Sequence, residues 1–321
     1  MQLTCVGVQA ETCDVTRFTF MADAQPDFIP GQFISLKVPI GAQTSVRAYS
    51  LSSTPDDSRL QLAIKRVEGG RVSNHLLDQL KMGDRLEALA PAGEFHSQLA
   101  GDQPWLLLAA GCGITPLFSM LKDRLRREPD ADIVLMFSVR SEADKIFALE
   151  LEHLARRYPH FQLHWLLSGE GDRLGEAQLQ AVGDLASRSV MICGPEGYMV
   201  SAQTLAQQLG ASKVHCEAFH AAATAAAVGA AEAAQGHTLS VDGVELPILP
   251  GQTVLDSLEA GGIPIFAACR TGVCGSCKCQ GEKDKLQSSS VFGLTEEEIE
   301  QGTFLACSST VTGDMTLELD D

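Results

Sequence analysis

The stretch "WLLLAAGCGITPLFSMLKDRLRREPDADIVLMFSV", residues 105–139, decides the fold of the middle of this chain. "WLLLAA" is a continuous apolar run of strand length, "TPLFSMLKDRLRR" repeats apolar residues at helical spacing, and "DIVLMFSV" is apolar again. Continuous apolar strands alternating with helices predict a parallel sheet covered on both faces. The alternation runs on: "FALELEHLARRY" (helix), "FQLHWLLS" (strand), "EAQLQAVGDLA" (helix), "SVMIC" (strand) and "EGYMVSAQTLAQQLG" (helix). An α/β domain over residues 102–219 is expected.

Upstream, to about residue 101, the rhythm differs. Short alternating runs ("RFTFMA", "QFISLKV", "RAYSLSS", "LQLAIKRV") are broken by Pro30-Gly31, Pro55-Asp56 and Gly69-Gly70. This pattern predicts a small antiparallel barrel or sandwich. Downstream, "HAAATAAAVGAAEAAQGH" has no apolar face large enough to pack, so residues 220–236 read as a linker. The remainder, 237–321, opens with two short strands around Asp242-Gly243. A helix capped by Thr253 follows, then a cysteine loop, which together make a compact α+β unit.

The chain has 321 residues, a formal net charge of −17 and a pI near 4.8. That balance repels phosphate backbones and argues against nucleic acid as a partner. No apolar run reaches the length of a bilayer span and the N-terminus lacks a signal-peptide layout, so a cytoplasmic location with reduced thiols is expected. Ten cysteines in such a compartment are not a disulfide framework. Half of them crowd into the last sixth of the chain.

Cys269, Cys274, Cys277 and Cys307 are the strongest chemical signal. "CRTGVCGSC" gives C-x4-C-x2-C with a fourth cysteine after a long interval, the plant-type spacing of a [2Fe–2S] cluster. A loop wrapped round a cluster must turn sharply and offer N–H groups to sulfur, which Gly272, Gly275 and Ser276 permit. In "LTEEEIEQGTFLAC", Thr295 and Glu298 make a capping box, and a strand then brings Cys307 back. Zinc competes poorly, because no paired C-x-x-C or histidine accompanies these cysteines. Cys279 is superfluous to the spacing and reads as a packing residue.

"RAYSLSS", residues 47–53, offers what a flavin requires: Tyr49 for the ring, Ser50 for a hydrogen bond near N5 and Arg47 for the phosphate. In "GGRVSNHLL", Gly70, Val72 and Ser73 lie at a turn opening a helix, where free N–H groups can cradle a pyrophosphate. "AAGCGITP" sets Gly111, Gly113 and Thr115 at the carboxyl edge of the parallel sheet, although it lacks the third glycine of the dinucleotide fingerprint. "CGPEGYM" sets Cys193 and Gly194 at the same edge. No His or Asp can be placed to activate Cys193 as a nucleophile; packing against a nicotinamide suits it better.

In this order, the Arg-x-Tyr-Ser, Gly-x-x-Ser, "GCGITP", "CGPEGYM" and plant-type cluster motifs resemble the ferredoxin–NADP reductase superfamily with an appended ferredoxin domain. The resemblance implies a six-stranded flavin barrel, a five-stranded parallel nicotinamide domain and a β-grasp [2Fe–2S] domain. It further implies FAD rather than FMN, and a placement of Glu217 and Phe219 over the flavin ring. "RAYSLSSTP", "LLLAAGCGITP" and "AACRTGVCGSCK" are most similar to the reductases that serve hybrid-cluster proteins; reductases of Rieske-type oxygenases share the domain set. The expected activity is that of an NADH:acceptor oxidoreductase with a protein acceptor. A non-catalytic redox sensor or carrier is the competing class. NADH is expected over NADPH, because Glu142, Asp144 and Glu170 fall where a 2′-phosphate would need cations, with Arg140 and Arg173 as the counter-evidence.

Overall fold

The computed structural model describes residues 1–41, 43–217, 236–241, 243–263, 265, 267, 272, 275, 277–291 and 294–319. The chain divides into two compact units, Met1–Glu217 and Ala218–Asp321. Most of the Ala-rich segment, with Asp242, Phe219, Cys269 and Cys274, lies outside the described residues.

The first unit opens with strands β1 (Gln2–Ala10), β2 (Val15–Ala22), β3 (Phe33–Ile40), β4 (Gln43–Ser50) and β5 (Leu60–Lys65). Helix α1 (Arg71–Gln79), strand β6 (Arg85–Ala88) and the single turn α2 (Ser97–Ala100) follow. The sheet order is β4-β3-β6-β1-β2-β5, antiparallel throughout. Its two ends meet where Leu51 bridges Leu62 and the Ser52 N–H donates to the Gln61 carbonyl at 2.9 Å. Closure makes this a barrel rather than a sandwich, and it removes the open edges. Alternation along β2 sends Phe18 and Phe20 inward with Leu36, Leu60, Leu62 and Val72. Each fully buried phenylalanine contributes about 1.5–3 kcal/mol.

The parallel sheet comprises β7 (Trp105–Ala110), β8 (Ile133–Val139), β9 (Phe161–Leu167), β10 (Ser189–Cys193) and β11 (Lys213–Glu217), in the order β11-β10-β7-β8-β9. Helices α3 (Ile114–Arg127), α4 (Ala148–Arg157), α5 (Glu176–Val182) and α6 (Glu196–Gln208) cross between strands. Every residue of β7 is buried, as its unbroken apolar run requires of a central strand. Helix α5 is shorter than its pattern suggests. Gly183 takes φ +68 and ends it, and residues 185–187 form a separate 3₁₀ turn. Strand β11 was not read from the pattern: only Glu217 of "KVHCE" is buried, so its edge position leaves no apolar run.

The second unit holds β12 (His237–Val241), β13 (Val244–Ile248), α7 (Val254–Ala260), β14 (Lys278–Gly281), β15 (Leu286–Ser288), α8 (Glu296–Glu300), β16 (Thr303–Leu305), β17 (Ser309–Val311) and β18 (Met315–Leu319). A mixed sheet of order β13-β12-β18-β14-β16, with the β12–β18 pair parallel, shares its core with the buried side of α7. This is the β-grasp arrangement, and β15 and β17 add a separate two-stranded ladder. Thr253–Asp256 and Thr295–Glu298 both form capping boxes, each closing a helix N-terminus reciprocally.

Candidate functional site

The order β11-β10-β7-β8-β9 places a topological switch between β7 and β10, the point at which open parallel sheets form a ligand crevice outside the strands' carboxyl ends. Gly111–Gly113 form a 3₁₀ turn leading from β7 into α3; Cys193 and Gly194 leave β10 directly opposite. The two loops touch. A Cβ on Gly113 would lie 2.0 Å from the Cys193 carbonyl oxygen, and one on Gly194 would lie 2.9 Å from the Ala110 Cβ. Gly113 is therefore required by a backbone-to-backbone contact between the two loops. Gly111 has φ +53 with open space beside it, so it turns the chain and leaves the crevice mouth clear.

Thr115 is buried, and its hydroxyl donates to the Cys112 carbonyl at 2.9 Å, holding the turn together. Cys193 is fully buried. Burial, reinforced by the nearby Glu217 carboxylate, pushes its thiol well above the ordinary value. Burial of this kind disfavours the thiolate that a cysteine nucleophile needs.

On the barrel, Arg47 and Tyr49 share one face of β4, and Ser50 lies on the other, buried. The Arg47 guanidinium donates to the Val46 carbonyl at 2.7 Å. Burial raises the Tyr49 hydroxyl to about 12, against the opposing pull of Arg47, so the phenol stays neutral. At the start of α1 no side chain caps the helix and no acid occupies its first turn, which keeps the positive end of the dipole available to an anion. Gly70 lies so close to Ser73 that a Cβ would meet the Ser73 Oγ at 2.6 Å. Val72 is turned into the barrel core, so only its backbone N–H is available to a phosphate. Asn74 fixes the preceding loop through two bonds to the Val67 backbone, 3.2 and 2.8 Å.

The loops after β8 and β9 are stitched together. The Ser168 hydroxyl donates to the Val139 carbonyl at 3.1 Å, and the Gly169 N–H to the Arg140 carbonyl at 2.9 Å. Of the acids predicted to repel a 2′-phosphate, Glu142 pairs with Lys145 at 2.7 Å and Asp144 accepts from Ser141 at 2.6 Å. Lys145 offsets the Glu142 charge, whereas Asp144 keeps its charge, and Glu170 is exposed.

In the second unit Cys277 and Cys307 are both buried, and the Ala306 N–H donates to the Cys277 carbonyl at 2.9 Å. Gly272 and Gly275 take φ +75 and +70, the sharp turns anticipated for a loop folded round a cluster. The Gly272 N–H donates to the Cys307 Sγ at 3.2 Å. A backbone donor aimed at a buried cysteine sulfur is what a cluster thiolate needs, so these residues fit a [2Fe–2S] group. Cys279 is fully buried in the core of the same unit. Sequence reasoning passed over Ser290 and Ser308, which contact Gly272 from 18 and 36 positions away with no local signal.

Barrel, parallel-sheet crevice and cysteine loop define an electron-transfer oxidoreductase with separate flavin, nicotinamide and iron–sulfur modules. Family models agree: an oxidoreductase FAD-binding domain matches residues 3–97, an oxidoreductase NAD-binding domain 107–204, and a 2Fe-2S iron-sulfur cluster binding domain 238–312. The glycine betaine monooxygenase reductase subunit of Pseudomonas aeruginosa (strain UCBPP-PA14) is 35% identical over 346 residues, covering 98% of this chain and 94% of that protein. NADH oxidoreductase HCR of Escherichia coli (strain K12) is 35% identical over 314 residues, covering 97% and 95%. Among solved structures, phthalate dioxygenase reductase superposes with a TM-score of 0.71 at 24% identity, covering 100% and 98% of the two chains, a likeness of fold. The chain belongs to the ferredoxin–NADP reductase superfamily, in the branch that carries a C-terminal [2Fe–2S] ferredoxin domain. Among the described residues no helix is long and apolar enough to cross a membrane.

Proposed function

We propose that this reductase takes a hydride from NADH and passes electrons through FAD and a [2Fe–2S] cluster to a hybrid-cluster protein. The observation that supports the donor half is the contact of Gly113 with the Cys193 carbonyl, which joins two glycine-bearing loops at the sheet's switch point, where dinucleotides bind in such folds. When bound, FAD accepts two electrons as a hydride and releases them singly, as a one-electron cluster requires.

The residues take the following parts. Arg47 bears on the flavin phosphate, Tyr49 gives its neutral ring a planar partner, and Ser50 supplies a hydroxyl. Gly70, Val72 and Ser73 present N–H groups at the α1 N-terminus. Gly111 leaves open space for the nicotinamide nucleotide, Gly113 and Gly194 let the two loops of its site meet, Thr115 holds the first loop, and Cys193 packs behind it. Cys269, Cys274, Cys277 and Cys307 ligate the cluster. NADH is preferred because the loops after β8 and β9 carry Glu142, Asp144 and Glu170.

The choice of acceptor is supported by the lengths of the two matches. The alignment with NADH oxidoreductase HCR runs 314 residues over 97% of this chain, so it opens few gaps in this chain. That with the monooxygenase reductase subunit runs 346 residues, longer than the 321-residue chain, so it must open gaps here. The second reading, a reductase of a Rieske-type oxygenase, is favoured by the 35% identity to that subunit across 98% of the chain.

The test is anaerobic mixing of the FAD-loaded protein and NADH with a hybrid-cluster protein, following the acceptor's spectrum. Ferricyanide reduction is read in a parallel cuvette. Fast reduction of the hybrid-cluster protein supports the assignment. An enzyme active on ferricyanide that leaves this acceptor oxidised overturns the pairing and promotes the oxygenase reading.

A further inference from the structure

Strands β15 and β17 meet in a knot of serines beside the cysteine loop. The Ser288 and Ser309 hydroxyls share a hydrogen bond at 2.7 Å. The backbone N–H and hydroxyl of Ser289 both donate to the Ser308 carbonyl, at 2.8 and 3.0 Å. The Ser308 hydroxyl donates to the Ser290 carbonyl at 2.8 Å, and the Ser290 hydroxyl to the Gly272 carbonyl at 2.9 Å. The last link is the Gly272 N–H on the Cys307 Sγ, 3.2 Å away.

Gly272 is held from two further sides. A Cβ on it would lie 2.6 Å from the Ser290 Cβ and 2.8 Å from the Ser308 Cβ, so both serines wall it in, and its φ of +75 is one that L side chains rarely adopt. Gly272 is thus held on both sides of its Cα: its N–H points at the sulfur, its carbonyl, in the following peptide unit, accepts from Ser290, and Ser308 braces Ser290. A hydrogen bond to a ligating sulfur draws off negative charge. It therefore favours the state with the extra electron and raises the reduction potential of the group that the sulfur holds.

We propose that Ser290, braced by Ser308, is a positioning residue that tunes the cluster's reduction potential by fixing the Gly272 N–H on the Cys307 sulfur. This rests on the reading of Cys307 as a cluster ligand. Among the described residues, the Ser290 hydroxyl bears on the Cys307 sulfur through Gly272. The consequence is a division of labour: the cysteines hold the cluster, and a serine pair outside the ligand set adjusts how readily it takes an electron.

The experiment is an EPR-monitored potentiometric titration of the full-length, FAD- and cluster-loaded protein as wild type, Ser290→Ala, Ser308→Ala and Ser288→Ala. Ser290→Ala is expected to move the cluster potential in the negative direction. Ser308→Ala, which loosens the same clamp one bond further out, moves it the same way by less. Ser288→Ala cuts the Ser288–Ser309 pair without touching Gly272 and leaves the potential where it was. A cluster potential equal to wild type in Ser290→Ala overturns the proposal. If that variant fails to load, a wild-type potential in Ser308→Ala does so. An equal shift in Ser288→Ala also overturns it, because general loosening of the ladder then explains the change. Failure of the underlying ligand assignment looks different: the wild type itself shows no [2Fe–2S] signal.

Discussion

The Ser119 hydroxyl donates to the Ser53 carbonyl at 2.5 Å, and both residues are fully buried. Ser53 follows Ser50 by three positions, and Ser119 sits on α3, which opens directly from Gly113. One bond therefore ties the flavin motif to the helix that rises from the nicotinamide loop. Charged groups reinforce it: Asp57 meets Lys122 at 3.4 Å and Arg126 at 3.1 Å, while Arg126 also donates to the Thr54 hydroxyl at 2.7 Å. A second pin lies elsewhere on the barrel. Arg17 pairs with Glu11 and with Glu150 (2.6 Å), and the Phe147 N–H donates to Glu11 at 3.1 Å. Phe147 holds φ +57 there, a conformation that costs about 1–3 kcal/mol and persists because its ring stacks on Phe118.

Hydride transfer depends on the angle and distance between two cofactor motifs that these pins hold in register. Asp57→Ala is expected to slow flavin reduction at saturating NADH by on the order of 10-fold, with little change in NADH affinity, since a small misplacement costs rate rather than binding. Stopped-flow measurement of the limiting rate and apparent Kd separates the two. An unchanged limiting rate contradicts the pinning role.

The same carboxylate gives a pH signature. Burial works to raise the Asp57 pKa, but the Thr54 N–H, Lys122 and Arg126 outweigh it and hold the carboxyl below its ordinary value. A depressed folded-state pKa stabilises the protein above the unfolded value, roughly pH 4, and that contribution vanishes as pH falls through the folded value. Denaturant titrations should therefore show wild type more stable than Asp57→Asn near neutrality, with the gap closing between about pH 4 and the folded-state pKa.

Gly113 and Gly111 should respond differently to alanine. At Gly113 the new methyl meets the backbone of Cys193, which cannot yield, so Gly113→Ala is expected to cost about 1–3 kcal/mol or more and to weaken NADH binding. At Gly111 there is open space, and only the strained φ of +53 counts, about 1–2 kcal/mol. Thermal unfolding and NADH titration of both variants check the ranking.

For the cluster, Cys277→Ser and Cys307→Ser are expected to abolish the [2Fe–2S] spectrum while NADH-dependent ferricyanide reduction continues through the flavin. Cys279→Ser should keep the spectrum and lose about 1–3 kcal/mol of stability, the cost of a hydroxyl in a fully buried apolar site. A cluster lost from Cys279→Ser would instead make it a ligand.

What the sequence announced was local. The unbroken apolar run of β7, the N-cap at Thr253, the capping box at Thr295 and the cysteine spacing each carry their signal within a few residues. What it did not announce is held at a distance or sits at an edge. The edge strand β11 has no buried run to betray it, and the β-grasp sheet order depends on pairings such as Cys279 with Leu319. The Asp57–Arg126 and Ser290–Gly272 contacts join residues 69 and 18 positions apart, where periodicity is silent. The role of Gly113 was legible as a glycine at a strand end, but not as a contact with Cys193.

The most direct test of the electron path is an anaerobic single-turnover mixing of the loaded protein with NADH, following flavin absorbance and freeze-quenched cluster EPR together. Loss of oxidised flavin is expected first, then a rising [2Fe–2S] signal, with the second phase absent in Cys307→Ser. A flavin that is fully reduced beside a cluster that stays oxidised, with no acceptor reduced, contradicts that path.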